Sequence, residues 1–565
     1  MHKLTKRNTL KWILWVTGLG TALFLGGLLA SWWLPRYFAK ELDTTLKEAV
    51  RNASDSLYQI NYDKILLNIP LGNAEVQKVK ITTDSSIYQQ RLGTNTAPNL
   101  RISLEAKTIR LSGVSLLKLF LFKTLSVQDL LIDHPLVDAV YLPQPYNKSG
   151  TPASPYALIS KTLHSVSIDK IRLNNVNFTY LDHQDSTQSP RKSYLKSLNL
   201  DVSDFLLSED SGKDSTRILY SSHLTFKAEG LELPSGDALY QFSMQELSLS
   251  TRDSTIQVKN IHYKPLLSKG NFSKKLGKAT DRLDLQFKNI RATQVDMRRF
   301  LVDRQLFARR LYIDAGTMDI FKDKHYRMVS SNKMGRYPHQ LLLKSRFKMG
   351  FDKVYLKSTR VQYGELNELT NRRGVVFFDR THGTISNLTN DSAMIAKNPH
   401  CRMSVLTRFL NQSRLNAYFT FNLAARNGDF RCEGSMKNFD MTHVNGITEA
   451  LARASVKSGK VSSLHFVLHA DNTQASITTQ LHYDDLKVEV LKVDDETGEL
   501  KKRWFLSQLA NNVILNENNP KGKSPARVGE AVLVRESDES FFNLIWRSIY
   551  ISIKHITIGQ EPVEE

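Results

Sequence analysis

The chain has 565 residues, more than one ordinary hydrophobic core organises, so it reads either as several domains or as one architecture grown by repetition. Its 41% hydrophobic and 24% charged residues exclude a disordered chain. A formal net charge of +21 favours acidic partners (nucleic acid, anionic lipid headgroups or anionic polysaccharide), while two cysteines exclude a disulfide-built fold.

The first predicted element is a membrane span. Residues 12–34, WILWVTGLGTALFLGGLLASWWL, carry no charge. As a helix they measure about 34 Å, enough to cross a bilayer core. Trp12, Trp15, Trp32 and Trp33 stand towards the two ends, where interfacial tryptophans anchor a span. No small-x-small cleavage site follows, so an uncleaved anchor is expected. Lys3, Lys6, Arg7 and Lys11 make residues 1–11 a basic tail, which favours a cytoplasmic N-terminus and a chain body beyond the membrane.

Residues 35–55 read as a short polar helix leaving the membrane, with Pro35 in its first turn. From Leu57 the period becomes two, the signature of strands. Tyr58, Ile60 and Tyr62 alternate; Ile65, Leu67 and Ile69 follow in shifted register. Gly72-Asn73 reads as a turn, and Val76, Val79 and Ile81 start the next strand. Strands of five to eight residues are expected throughout 56–527, with loops at 142–156, 183–192, 268–277 and 515–527. Residues 243–263 read as a hairpin about Arg252-Asp253. Helical interruptions are expected at 296–306 and 437–455. Residues 462–494 read as three strands with turns at Asp471-Asn472 and Asp484-Asp485. The last segment, 528–565, reads as a terminal strand and an amphipathic helix. Phe541, Leu544, Ile545 and Ile549 share one side of that helix, which either lies on a membrane surface or caps the open end of a sheet.

One phrase recurs. SVSIDKIRLNNVNFTYLD (165–182) reads as two short strands about an Asn174-Asn175 turn. MGFDKVYLKSTRVQY (349–363) repeats its cadence: Asp169-Lys170 aligns with Asp352-Lys353, and Ile171 and Leu173 with Val354 and Leu356. FARRLYIDAGTMDIF (307–321) follows the same cadence from Leu311 and Ile313 to Met318 and Ile320. No strict period holds, so the repeat reads as a hairpin reused with variable insertions. The change of parity between Ile168 and Ile171 is what a bulge would produce.

Chemistry-bearing patterns are sparse. There is no H-E-x-x-H, no G-x-S-x-G and no phosphate-binding loop. His465 and His469 are four apart in a segment of period two, which places them on one strand face rather than one helix face. Cys401 and Cys432 admit one disulfide if they lie on adjacent strands in an oxidising compartment. The reading is therefore of a non-enzymatic protein without a cofactor. A membrane-anchored external body argues against nucleic acid as a partner.

Several ordered phrases resemble the AsmA-like bacterial envelope proteins, whose relatives include TamB and YhdP. They are YQINYDKILLNIPLGNAEVQKVKITTD just after the span, ATDRLDLQFKNIRATQVDMRRFLVDRQLFARRLYIDAG, GVVFFDRTHGTISNLTND and the closing NLIWRSIYISIKHI. The resemblance implies a mainly β fold. A single N-terminal transmembrane helix would precede an elongated, curled, antiparallel-rich sheet forming an open groove with a few short helices. It implies an inner-membrane protein with its bulk in the periplasm. Such a protein would hold or conduct glycerophospholipid between membranes and support outer-membrane biogenesis. On that reading Ile168, Leu173, Phe178, Leu311, Ile313, Phe351 and Leu356 are candidates to line the groove. The alternative is an assembly or scaffold factor that binds an outer-membrane or periplasmic protein by strand addition at an exposed edge.

Overall fold

A computed structural model describes residues 54–68, 72–115, 121–146, 163–183, 191–327, 332–493, 500–502 and 515–558, with a few others. The predicted span at 12–34, its four tryptophans and most of the 35–55 linker lie outside the described residues. Among the described residues no helix is long and apolar enough to cross a membrane. The chain is mainly β and divides into two compact units, 1–259 and 260–565.

In the first unit the strands are β1 (Tyr58–Asn61), β2 (Lys64–Asn68), β3 (Asn73–Thr83), β4 (Leu100–Ser112), β5 (Thr124–Asp133), β6 (Leu136–Tyr141), β7 (Ser165–Asp182), β8 (Arg191–Leu207), β9 (His223–Pro234) and β10 (Tyr240–Ser250). β1 and β2 pair with two ends of β3, and β3 pairs with β4. β5 and β6 share one position beside β4. They pair with it in one continuous register on either side of His134-Pro135. Both then pair in parallel with β7, and β7 to β10 continue antiparallel. β11 (Thr255–Pro265) crosses the division between the units, and a turn at 251–254 separates it from β10, where the sequence places a turn.

The second unit contains β12 (Arg282–Val295), β13 (Leu306–Asp323), β14 (Met349–Leu366), β15 (Arg373–Thr389), β16 (His400–Phe409), β17 (Ser413–Asn422), β18 (Phe430–Asp440), β19 (Ala454–Ala470), β20 (Gln474–Val493), β21 (Leu500–Lys502) and β22 (Val528–Val534). They pair in chain order from β12 to β20. Every pair is antiparallel except β13 with β14. β21 and β22 pair with different parts of β20. The helical interruptions expected near 296–306 and 437–455 are present as short turns at Arg299–Asp303 and 441–452.

The repeated phrase is not a hairpin. Each copy is one uninterrupted strand of 18 residues: β7, β13 and β14. What the sequence suggests as a turn is a single left-handed residue within the strand: Asn175 (φ 55°), Ala315 (φ 47°) and Ser358 (φ 50°). His134 (φ 49°) takes the same place between β5 and β6. A left-handed residue redirects the strand without reversing it, and pairing resumes beyond it. β12 and β13, for instance, keep one register on both sides of Ala315. The kink costs strain at a non-glycine residue. Local polar contacts offset part of this at Asn175, whose backbone N–H donates to Asn199 Oδ1 at 3.0 Å and whose own Oδ1 accepts from Ser197 Oγ at 3.3 Å.

Two further expectations are corrected on the same physics. Asp484-Asp485 is a kink inside β20 (Asp485 φ 53°), so the region expected to hold three strands holds two, broken by the turn after Ala470. Residues 268–277 are not a loop but a helix, Lys269–Leu276. It ends at the left-handed Gly277 (φ 64°), carries two lysines in its last turn and is anchored by the buried Phe272. Strands reach 20 residues rather than five to eight, because a kink lets a strand continue where the residue pattern suggests its end.

The C-terminal helix, Phe541–Thr557, lies on the sheet of its own unit. Phe541, Leu544, Ile545, Ser548, Ser552 and Ile556 face inward. Gly529 of β22 lets it approach, because a Cβ there would collide with the Ser552 carbonyl oxygen. The opposite side exposes Phe542, Trp546 and Tyr550.

Candidate functional site

The kinks keep apolar side chains in transverse rows. Paired residues on neighbouring strands project from the same side of a sheet, so a register defines such a row. In the second unit one row runs Ala292, Leu311, Val354, Ile385, Met403, Phe419, Cys432, Leu468, Ile477 and Ala531, from β12 to β22. Beyond the kink another runs Leu285, Met318, Val361, Phe378 and Phe409. The first row leads into a core containing Phe541, Leu544 and Ile545; the second leads into one containing Ile556. One helix covers both, so the rows occupy one face despite their opposite parity.

Coverage differs along that face. Under the helix, Phe430, Leu468, Ala475 and Ile477 are at most 3% exposed. Away from it, on β12 to β14, Leu283, Leu285, Ile290, Leu311, Ile313, Met318, Ile320, Leu356 and Val361 are only half-buried. This is the candidate site: a strip of aliphatic side chains on three adjacent strands, continuous with a closed core. Val354 and Phe351 sit within it but are buried.

In the first unit the corresponding row is Val76, Ile109, Ile132, Leu173, Leu200, Phe226 and Leu249, and every member is buried. Burial of such a side chain contributes about 1.5–3 kcal/mol. Of the residues expected to line a groove, Ile168, Leu173 and Phe351 are thus packing residues, while Phe178, Leu311, Ile313 and Leu356 are half-buried. The register brings Leu311 beside Val354 and Ile313 beside Leu356. Ile168, Leu173 and Phe178 belong to the other unit. Sequence reading did not name Leu283, Leu285, Ile290 and Val361 as lining residues, and it placed Met318 and Ile320 in the repeated cadence without assigning them to the face. Their signal is the stepped spacing 311, 313 then 318, 320, which a strict period of two hides.

The connection from β13 to β14 is a crossover, as parallel pairing requires. It carries the helix Pro338–Lys344 and plugs one end of the core. Tyr337 is fully buried, its ring 5.2 Å from that of Phe430 and 5.6 Å from that of Phe541. Its hydroxyl donates to the Asp471 carbonyl at 2.6 Å, and burial pushes its pKa up to about 12. The Arg535 guanidinium lies 4.2 Å from the ring centroid and donates to the carbonyls of Lys333 and Glu539, both at 2.9 Å. His339 stands beside Phe421 with neither ring nitrogen in a well-formed hydrogen bond, and burial pulls its pKa down to about 4.

Cys401 and Cys432 do not form a disulfide; both are free and buried. They lie on β16 and β18 with β17 between, so two sheet spacings, about 9–10 Å, separate their strands. A disulfide needs Cα atoms within about 7 Å. Burial holds both thiols protonated, with pKa values up to about 12, so neither is an activated nucleophile. Among the described residues no group of three or more His, Cys, Asp or Glu is placed to hold a metal ion. His465 and His469 do share the polar side of β19, opposite the core residues Phe466 and Leu468. The named strip residues are aliphatic and offer apolar contact; Tyr363, paired with Ile320, adjoins them and its hydroxyl donates to Glu365 Oε2 at 3.1 Å. No protein-family model matches the chain, and no curated protein sequence matches it significantly.

Proposed function

We propose that the chain is a non-enzymatic, membrane-anchored envelope protein that holds or conducts glycerophospholipid along the apolar face of its sheet, from the inner membrane and in support of the outer one. The carrying observation is the half-buried aliphatic strip on β12 to β14. Acyl chains need an extended apolar surface without competing hydrogen-bond demands. The kinked strands supply several parallel rows of it. The uncharged segment 12–34 would keep the body close to the membrane from which lipid is drawn. The bulk of the chain would then lie in the periplasm, as an elongated, curled sheet with this face inward.

The strand-addition reading is weakened at one edge. On β22 the carbonyls of Glu530 and Val534 already accept from the side chains of His555 and Arg547, each at 2.7 Å. The C-terminal helix thus occupies acceptors that an added strand would use.

The test is to purify the full chain in mild detergent and quantify co-purifying lipid by mass spectrometry. Near-stoichiometric phospholipid, lost in Leu311→Asp/Leu356→Asp, is the expected result. Phospholipid no more abundant than on an unrelated single-span protein would overturn the reading.

A further inference from the structure

The opposite face of the second unit carries a different pattern, which does not rest on the lipid reading. One transverse row on it reads Arg310, Lys353, Ser386, Arg402, Thr420 and Arg431, on six successive strands from β13 to β18. All four cations are exposed. Among the described residues Arg310, Lys353 and Arg402 form no ion pair; Arg431 meets Glu433 at 3.3 Å. Asp352, the nearest acid along β14, lies 3.8 Å from Arg309. From Lys353 to Arg402 to Arg431 the charges fall on every second strand, a repeat of about 10 Å. A serine or threonine fills each gap.

In the next row Tyr312 and Tyr355 stack with centroids 5.1 Å apart and planes 9° from parallel. Arg291 lies over the first ring and Lys353 over the second. The stack covers both rings, with Lys353 seated on Tyr355. Farther along the same row Tyr418 on β17 is exposed, so a single-stranded nucleic acid is the competing ligand that poly(dT) tests below. A planar bilayer is a poor fit. Sheet twist of about 20° per strand turns the row by about 100° over its five steps, so a plane would meet only part of it.

We infer that this row binds a linear acidic polysaccharide, one carrying a single anionic group per disaccharide. A flexible chain follows the twist, its charges meet alternate strands, and Ser386 and Thr420 lie where sugar hydroxyls would pass.

The experiment measures binding of the full chain, in detergent, to immobilised hyaluronate, with neutral dextran, poly(dT) and phosphatidylglycerol vesicles as comparators. Hyaluronate is expected to bind best. Lys353→Gln/Arg402→Gln should weaken it about tenfold, as loss of two exposed ionic contacts implies. Lys521→Gln/Lys523→Gln removes the same charge from an exposed loop and should leave affinity within about twofold. All these sites are exposed, and unchanged melting temperatures would establish that the variants fold. No hyaluronate binding by the parent chain, equal loss in both double variants, or equal or tighter binding to dextran, poly(dT) or vesicles would each overturn the inference.

Discussion

Ala315 and Ser358 stand side by side on the parallel strands β13 and β14, and both are left-handed, with φ of 47° and 50°. The left-handed conformation costs an L-residue about 1–2 kcal/mol. Glycine avoids that cost but loses about 0.5–1 kcal/mol through its freer unfolded chain. Ser358→Gly should therefore stabilise the protein by about 0.5–1 kcal/mol, since its exposed side chain packs on little. Ser358→Val should destabilise it by at least as much. Denaturant titration of both variants would decide, and an unstable glycine variant would contradict the kink's role.

Gly529 should tolerate no side chain. A Cβ there meets the backbone of the C-terminal helix, which has no rotamer with which to yield. Gly529→Ala is expected to cost about 1–3 kcal/mol, typical of overpacking. It should also raise binding of a hydrophobic dye as the helix lifts from Leu468 and Ile477. A melting curve equal to the parent's would refute the contact.

The Arg535 clamp is buried, and its guanidinium holds two carbonyls and an aromatic face. Arg535→Ala should destabilise by about 3 kcal/mol, because the carbonyls and the packing are lost together. Tyr337→Phe removes only the bond to Asp471 and should cost about 1 kcal/mol. Chemical denaturation would rank the two, and the opposite order would show that the hydroxyl, not the guanidinium, secures the crossover.

His339 sets a pH window. Its folded pKa is lowered from 6.5 to about 4 by burial, with the Gly428 backbone and Asp429 acting weakly the other way. The unfolded chain then binds more protons between those values, so stability rises with pH. Its contribution is full above about pH 6.5 and is lost progressively as pH falls to about 4. Melting temperatures of His339→Leu should fall less than the parent's over that window. Identical pH profiles would exclude His339 as the cause.

Cys401 and Cys432 should resist a thiol reagent in the folded protein and react on unfolding, with the same electrophoretic mobility whether or not reductant is present. Fast labelling under native conditions would contradict their burial.

Much of this was legible in the residues. The strand carrying Val76, Val79 and Ile81, the turn at 251–254 and the buried side of the C-terminal helix all stand where the pattern puts them, the step from Val76 to Val79 being a kink at Lys78 (φ 49°). The alignment of 165–182 with 349–363 also carries a structural fact, since Asn175 and Ser358 fall at aligned positions and share one conformation. Only the meaning of that position differs. Asn-Asn, Gly or Asp pairs favour positive φ, and a positive φ serves a reversal and a kink equally well.

The candidate site was less legible. Alternation identifies an apolar face but not what covers it. Ile168 and Ile313 belong to phrases of similar cadence, yet Ile168 is fully buried and Ile313 is only half-buried. The sequence by itself determined strands, their phase and their repetition, because these follow from local sterics and from the period of side chains along the backbone. Only the tertiary structure decided which strands are neighbours, that two copies run in parallel, and that Phe541, Leu544 and Ile545 close one end of a face whose other end is left half-open. Those outcomes depend on contacts between residues far apart in the chain, such as Tyr337 with Arg535, and no local pattern encodes them.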